Sequence, residues 1–447
     1  MSQLAEISHA LHILNVNFET VNDMPLNDPL HIPVAGVLLE QVGRRWLAVV
    51  PADAMITIPG LKQTLNGRVT PVESPYQNKL QQPATISFPP LAHLYRAKLL
   101  VDERLRQGEY YYHTLDDGHT IRFDSTNWRI LTEQATWGDF CCSLFDNPTN
   151  HLGLTHYNPA TLQAHIEEQH EFPVMSATAQ KILKLQADPY AEVEDLAAIV
   201  ERSPSLAAQV VKWANSPYYG FPGGVATVED AIIKVLGFDL VLNLALGLAI
   251  GDKFKLPLEG PVGLQSYWAH SLYTAALVEK IVVCMSDIRA RPSLGIAYLS
   301  GLLHNFGYLL MGQILPQHFQ AINAHIPYNP HLTYREVEHI IVGVSHDVLG
   351  FWLMENWHMP APVLQSNLHH HDEGICSEEA TIVGLVNTAT CLLKSLGVGD
   401  ADNSRPNPEI LKSLGVNAEK LDLIIQDFAE HTADLNEICY QLVKAAD

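Results

Sequence analysis

The spacing of apolar positions changes part-way along the chain. Up to about residue 135, apolar residues form short runs separated by Pro and Gly, which predicts strands joined by turns. One helix comes first, because apolar residues recur at helical spacing from Leu4 to Leu14. The runs Val34–Glu40 and Arg45–Val50 flank a Gln-Val-Gly-Arg turn and predict a β-hairpin. Further strands are predicted at Asn17–Val21, Leu99–Asp102, Tyr110–Thr114 and Thr120–Phe123, the last two joined through Asp116-Asp117-Gly118.

From Ser176 onward the apolar period becomes 3.6 residues, which predicts an all-α region. The intervening segment has few apolar repeats and several turn formers, so it is interpreted as a linker. We therefore expect a multidomain protein with an α+β domain over residues 1–135, a linker over 136–164, an all-α domain over 165–400 and a C-terminal helical extension over 401–447. Helices are predicted at 176–187, 192–201, 205–215, 227–236, 239–249, 265–284, 292–312, 315–324, 334–356, 361–370, 378–395, 407–413 and 417–443.

Composition narrows the classes of function. The 447 residues are 47% hydrophobic and 17% charged, as in folded globular proteins. A formal net charge of −22 disfavours free nucleic acid as a partner, because nonspecific affinity for phosphate backbones comes from Lys and Arg. No signal peptide is indicated, and the most apolar stretch, Leu240–Gly251, is too short to span a membrane. The six cysteines form no CxxC pair, which is typical of reduced thiols in a cytoplasmic protein.

Five histidines are spread over the predicted helices of the all-α region: His270, His304, His346, His370 and His371. Neutral imidazoles on separate helices can converge on a metal ion, because each ring supplies a nitrogen donor while the helices hold the geometry. The same histidines could instead be hydrogen-bonded side chains of an ordinary core. Both interpretations are kept open at this point.

The order of these histidines resembles the HD superfamily of metal-dependent phosphohydrolases, whose pattern is a His, a His-Asp pair and a later Asp. In this chain the pair is His304-Asn305, and the later acid is matched by Asn387. A neutral amide offers a carbonyl oxygen where a carboxylate would offer negative charge, so both substitutions predict a weakened Mg, Mn or Fe centre. They also predict impaired hydrolysis, because a metal-activated water needs a firmly held ion.

Five segments of the all-α region form a recognisable pattern: Phe172–Met175, Leu196–Val200, Ser203–Ala207, Trp213–Gly220 and Ala231–Gly237. Together they are similar to the HDOD domain, the HD-related output domain of bacterial signalling proteins. The resemblance covers about residues 165–400 and implies a helical N-terminal bundle followed by an HD-like helical bundle, which acts as a noncatalytic output or scaffold module.

Five segments of the N-terminal α+β domain form a second pattern: Val34–Leu39, Trp46–Asp53, Ile58–Lys62, Phe88–Leu91 and Leu99–Leu105. Their order and spacing are similar to those of the YbaK-like aminoacyl-tRNA deacylases. The resemblance implies a lysine before the first core strand and a Gly-rich loop before a Pro-Pro segment, and this chain has neither, so tRNA editing is not expected. Asp53 and Asp102 are interpreted as turn residues.

These observations favour a noncatalytic bacterial signal-transduction or scaffold protein that binds protein partners or a small regulatory ligand, and that could form a homodimer. One alternative is a divergent HD-type phosphohydrolase, for example a cyclic-dinucleotide phosphodiesterase, with metal on His270, His304, His346, His370 and His371. A second alternative is an editing deacylase. The leading hypothesis assigns no catalytic residues and no cofactor.

Overall fold

The chain divides into two compact units, and the first is discontinuous in sequence. It comprises Met1–Tyr157 and Ala321–Gly343, while the second comprises Asn158–Gln320 and Val344–Asp447. The computed structural model describes residues 3–21, 28–72, 87–115, 118–143, 152–169, 173–186, 188–216, 219, 221–251, 254, 256–372, 374 and 379–430.

The first unit is built on a mixed sheet of eight strands in the order β1-β8-β7-β2-β3-β6-β9, with β5 paired to β2. The central pair, β2 and β3, is antiparallel, whereas β7 runs parallel to β2 and β6 runs parallel to β3. The strands are β1 (Glu19–Val21), β2 (His31–Gln41), β3 (Arg44–Pro51), β4 (Ala54–Ile56), β5 (Thr70–Pro71), β6 (Lys98–Asp102), β7 (Tyr110–Thr114), β8 (Thr120–Asp124), β9 (Thr136–Gly138) and β10 (Cys141–Ser143). The helices of its N-terminal segment are α1 (Gln3–Ile13), α2 (Ile58–Leu65) and α3 (Ser125–Leu131).

Both faces of the central strands are buried, which explains their unbroken apolar runs. Along β2, Val34 and Leu38 face one core, whereas Ala35, Val37 and Leu39 face the other. Successive side chains of a strand point to opposite faces, so a strand buried on both sides needs apolar residues at every position. The predicted α+β sheet domain and its hairpin are confirmed.

The hairpin turn explains why the two central strands pair in this register. Val42 and Gly43 connect β2 to β3 with φ of 48° and 72°. Two successive residues in the left-handed region are typical of the tight turns whose twist matches that of an antiparallel pair. The register that results sets Gln41 opposite Arg44 and Val34 opposite Pro51.

The segment predicted as a linker, 136–164, differs in the structure. It contains β9 at the edge of the large sheet, parallel to β6, and β10, which pairs antiparallel with β4. It also contains the start of helix α4 (Pro159–Gln169). Each of these strands has three residues, too few for an alternating apolar pattern to be detected in the sequence.

The second segment of the first unit, 321–343, completes a strand edge. The backbone N–H of Ile56 donates to Oδ1 of Asn329 at 2.6 Å, and Nδ2 of Asn329 donates to the carbonyl of Ile56 at 3.1 Å. This side chain therefore pairs with β4 as a neighbouring strand would. Nearby, the hydroxyl of Tyr328 donates to the carbonyl of Val69 at 2.7 Å.

His113 makes the stability of the first unit depend on pH. The side chain is 2% exposed, and Nδ1 donates to the carbonyl of Val34 at 3.1 Å. Burial lowers the pKa of His113 from 6.5 to about 4. Below about pH 6.5 this imidazole is therefore protonated in the unfolded chain but stays neutral in the folded unit. The difference lowers the free energy of unfolding by up to about 3 kcal/mol between pH 6.5 and 4.

The measurement is the free energy of unfolding against pH by urea titration, for the native protein and for His113→Gln. We expect the native protein to lose more stability than the variant as pH falls from 6.5 to 4. His9→Gln, at an exposed position of α1, is the matched control and should leave the pH profile unchanged. Parallel profiles for the native protein and His113→Gln would contradict the prediction.

The second unit is all-helical in its described part, as predicted. A first group of helices precedes residue 252 and a second group follows it. The first group is α4, α5 (Ala177–Gln186), α6 (Val193–Val200), α7 (Pro204–Ala214), α8 (Val228–Ala231) with a π-helical turn at Ile232–Leu236, and α9 (Phe238–Gly251). The second group is α10 (Leu264–Cys284), α11 (Leu294–Leu303), α12 (Gly307–Ile314), the first part of α13 (Pro316–His325), α15 (His346–Asn356), α16 (Ala361–His369), α17 (Ala380–Ser395) and α18 (Pro408–Leu414).

Two helices predicted as continuous are broken in the structure. The segment predicted at 292–312 ends as α11 and resumes as α12, with His304 capping the first of these helices. The segment predicted at 334–356 forms α14 (Tyr334–Ile341) and α15, which begins at His346. The break follows from Gly343, whose φ of 94° no helical residue adopts. Both breaks place a histidine at a helix end.

The apolar helices of the second unit are core helices. Among the described residues, Leu294–Ile314 has the length and mean hydropathy of a membrane span, but 89% of its apolar window is buried inside the structure. The helices α14 and α15 meet the same test only if they are counted together as one span. Of the predicted C-terminal helix 417–443, residues 418–430 are helical and the remainder lies outside the described residues.

Candidate metal centre

All five candidate histidines of the sequence lie together in the second unit, around one carboxylate. One set of potential ligands is His346, His370, His371 and Asp400, and the other is His270, His304 and Asp400. Within each set, one ligand atom per residue lies within 4.8 Å of the others. Asp400 is shared by both sets. Each of the six residues in these sets is at most 5% exposed.

Helix ends bring most of these side chains to one point. His270 lies within α10, whereas His304 directly follows α11 and His346 is the first residue of α15. His370 and His371 directly follow α16. Asp400 lies in the loop after α17. The two helix breaks that the apolar pattern did not predict are therefore the positions that supply His304 and His346.

Backbone hydrogen bonds fix the orientation of two imidazoles. Nδ1 of His304 donates to the carbonyl of Gly301 at 2.7 Å, and Nδ1 of His370 donates to the carbonyls of Ser366 and Asn367 at 3.0 Å each. A ring that donates through Nδ1 carries its lone pair on Nε2, which is the arrangement seen when a histidine binds a metal ion. In His304 this Nε2 is buried and accepts no hydrogen bond from the described residues.

The protonation states suit metal ligation. Burial lowers the pKa of His304 well below its usual value, lowers that of His370 to about 4, and also lowers that of His270. Burial acts to raise the pKa of Asp400, but His270 and three further imidazoles outweigh it and hold this pKa well below the usual range. Neutral imidazoles around an ionised carboxylate form a normal set of ligands for a borderline divalent cation.

The first set has the dimensions of a tetrahedral site. Nε2 of His346 lies 3.4 Å from Nε2 of His370 and 3.4 Å from Nε2 of His371. The nearer oxygen of Asp400, Oδ2, lies 3.5 Å from Nε2 of His346 and 3.9 Å from Nε2 of His371. Ligands at about 2.0–2.1 Å from one tetrahedral ion are separated by roughly 3.4 Å. These four side chains therefore fit a single ion.

The second set contains an amide between its ligands. Nδ2 of Asn305 donates to Nδ1 of His270 at 3.0 Å and to Oδ2 of Asp400 at 3.0 Å. Oδ1 of Asn305 is buried and has no hydrogen-bond partner among the described residues. Nδ1 of His270 and Oδ1 of Asp400 are 3.6 Å apart. The amide nitrogen thus occupies the space between two atoms that could otherwise bind an ion.

Asp400 corrects the expectation that the site has lost its acids. The sequence assigned the later acid of the HD pattern to Asn387, but the structure supplies a carboxylate 13 residues further on. Asn387 is 4% exposed, and its Nδ2 donates to the carbonyl of His370 at 2.9 Å. It therefore holds the backbone of a candidate ligand and is not a member of either ligand set.

The backbone before Asp400 requires glycine. Gly399 has a φ of 88°, and a Cβ at this position would lie 2.3 Å from Nε2 of His270. A side chain would therefore push the loop away from the histidines. The glycines at 397 and 399 just before an acid, in a loop after an apolar helix, were the sequence signal that could have found this residue.

Comparison with known proteins agrees with this architecture. The HDOD domain, as a sequence family, matches residues 172–373. This chain contains an HDOD domain.

Solved structures extend the comparison to nearly the full length of this chain. A crystal structure from Marinobacter aquaeolei VT8, provisionally described as that of a signal transduction protein, is 27% identical, covers 99% of both chains and has a TM-score of 0.74. A structure from Shewanella amazonensis SB2B, provisionally described as that of a phosphohydrolase, is 17% identical, covers 64% of this chain and 99% of its own, and has a TM-score of 0.50, which shows a shared fold.

A curated relative from Treponema pallidum (strain Nichols) bears no functional description. It is 21% identical over 248 residues, which cover 55% of this chain and 45% of that protein. The HDOD chain therefore matches less than half the length of that relative.

The HDOD site is closed in this structure. A cavity of about 10 Å³ adjoins His370, His371 and Asn387, which is room for about one water molecule. The six potential ligands are at most 5% exposed, so the described residues cover nearly all of their surface.

The HDOD match begins at residue 172, after the N-terminal segment Met1–Tyr157 of the first unit, so the resemblance of that segment to the deacylases gains no support from the match. Asp53 lies in the exposed turn between β3 and β4. Asp102 accepts hydrogen bonds from the backbone of Arg104 at 3.1 Å and of Phe140 at 3.0 Å. Both positions agree with the interpretation of these acids as turn residues.

Proposed function

We propose that this chain is a signalling protein whose HDOD domain binds a divalent metal ion in a closed site and hydrolyses no phosphoester. The ligands would be drawn from His270, His304, His346, His370, His371 and Asp400. A bound ion would supply positive charge that ties five helix segments together. The enclosure of all six side chains supports this proposal, because a hydrolytic centre must leave a coordination position open to water and substrate.

The proposed output is a protein–protein interaction. A nucleic-acid partner is disfavoured, because the formal net charge of the chain is −22. The ion would act by stabilising one arrangement of the helices that present the partner surface. A pulldown from the native cytosol, with the metal-loaded and the metal-stripped protein side by side, would identify a partner that distinguishes the two states.

The test measures metal content and turnover on the same preparation. Protein purified without chelator should contain stoichiometric metal. It should release no product from cyclic dinucleotides or from an aryl phosphodiester when Mn²⁺ or Fe²⁺ is added. Turnover that His304→Ala abolishes would establish the phosphohydrolase alternative and overturn the proposal.

We propose further that the N-terminal unit keeps a deacylase-like fold without editing chemistry. Around Gly36, where the resemblance implies a lysine, the backbone N–H donates to Oγ of Ser87 at 2.9 Å and the carbonyl accepts from Phe88 at 2.8 Å. A Cβ at Gly36 would lie 2.2 Å from the carbonyl oxygen of Phe88. This part of β2 is covered by the chain itself, so mischarged tRNA should not be deacylated by the protein.

A further inference from the structure

We infer that the HDOD site of this chain holds one ion, bound by His346, His370, His371 and Asp400, and that the amide of Asn305 takes the place of a second ion between His270 and Asp400. The inference rests on the proposed metal-binding function and specifies its stoichiometry. Three observations carry it: the spacing of the ligands, the hydrogen bonds of Asn305 and the charge of the site.

The half of the site around His346 brings three imidazole Nε2 atoms together. The Nε2 atoms of His370 and His371 each lie 3.4 Å from Nε2 of His346. His370 donates through Nδ1 to backbone carbonyls, so its Nε2 presents a lone pair to the same space. Nitrogen atoms gathered at this spacing are satisfied by a cation that accepts several lone pairs at once.

The half around His270 is already satisfied by a hydrogen-bond donor. The two protons of one Nδ2 group match the two acceptors, Nδ1 of His270 and Oδ2 of Asp400, each at 3.0 Å. A cation there would have to displace this amide and break both hydrogen bonds. An aspartate at position 305 could not donate these bonds when ionised, and it would offer a ligand oxygen in their place.

The charge of the site also favours a single ion. Asp400 is the one carboxylate in the two ligand sets of the described residues. Two divalent ions would bring four positive charges to neutral imidazoles, the one negative charge in the ligand sets and the neighbouring charge of Asp402. Uncompensated buried charge is strongly unfavourable, so one ion is the better match.

The ligand set indicates the class of ion. Three imidazoles and one carboxylate at tetrahedral spacing suit a borderline cation such as Zn²⁺, and four protein ligands leave no open position. The site would then be of the closed, structural kind.

The experiment loads the stripped full-length protein with Zn²⁺ or Co²⁺ and counts bound ions by elemental analysis. The visible absorption of Co²⁺ reports the coordination geometry. The native protein should bind one ion per chain with a four-coordinate Co²⁺ spectrum. His304→Gln should keep that ion and its spectrum, His346→Gln should lose it, and Asn305→Asp should raise the content to two.

The outcomes separate the two proposals. Two ions in the native protein, or loss of the single ion in His304→Gln with the fold intact by circular dichroism, would overturn the inference and leave the metal-binding function standing. No ion in the native protein would overturn the metal-binding function itself. If Asn305→Asp does not fold, the native stoichiometry and the contrast between His304→Gln and His346→Gln still decide the question.

Discussion

Asp400→Asn should weaken metal binding by more than 100-fold, the largest effect we expect from any single ligand. Asp400 is the carboxylate common to both ligand sets, and an amide at this position keeps the shape but removes the negative charge. The loss should exceed the roughly 10–100-fold that removal of an outer hydrogen-bonding partner typically causes. Competition with a chromophoric chelator measures the affinity.

Two other Asp→Asn variants provide comparisons for this loss of metal affinity. Asp402 lies outside the ligand sets, with Oδ1 at 3.8 Å from Nδ1 of His371, so Asp402→Asn should weaken binding less than Asp400→Asn does, through the loss of a nearby negative charge. Asp372 pairs with His369 on a side chain that is 42% exposed, and Asp372→Asn should leave the affinity unchanged. Equal affinities in Asp400→Asn and Asp372→Asn would show that Asp400 is not a ligand.

Gly307→Ala should lower the free energy of unfolding of the second unit by about 3 kcal/mol or more. A Cβ on Gly307 would lie 1.7 Å from the backbone oxygen of His346 and 2.8 Å from the backbone nitrogen of Gly350. Backbone atoms cannot rotate away as a side chain can, so α12 and α15 would have to separate. Differential scanning calorimetry should show a transition lower by roughly 5–10 °C.

Gly312→Ala is the matched control on the same helix. The added Cβ would lie 1.9 Å from Cδ2 of Leu256, the end of a flexible side chain that can adopt another rotamer. We expect a much smaller shift in the transition temperature. A shift as large as that of Gly307→Ala would mean that the approach of α12 to α15 is not what limits position 307.

The sequence predicted the sheet domain, the helical domain and the five histidines, but not the acid at their centre. Apolar periodicity reports burial, so it located the longer strands and most helices, but not β4, β5, β9 and β10, which have two or three residues each. Asp400 lies in a loop outside any period, and its selection depends on the left-handed backbone of Gly399 and on the fold that returns the loop to His270. Comparison by order along the chain instead favoured Asn387, which lies one turn from Cys391 in a buried helix.

The breaks in the predicted helices were missed for a related reason. Apolar positions continue through Leu303 to Tyr308 and through Ile341 to Val344, because buried residues lie on both sides of each break. The apolar period in the sequence therefore continues across positions where the helix is interrupted. Apolar periodicity also could not show that Asn329 pairs with β4, because it indicates that a segment is buried but not which element the segment contacts.

The return of the chain to the first unit at Ala321–Gly343 bears on how this architecture can arise and be handled. A cut at any one peptide bond between residues 158 and 320 leaves β4 without Asn329, and a cut beyond 343 divides the helical unit. No single cut in the chain therefore separates the two units without dividing one of them. Expressing the first unit alone requires a new linkage between residues 157 and 321.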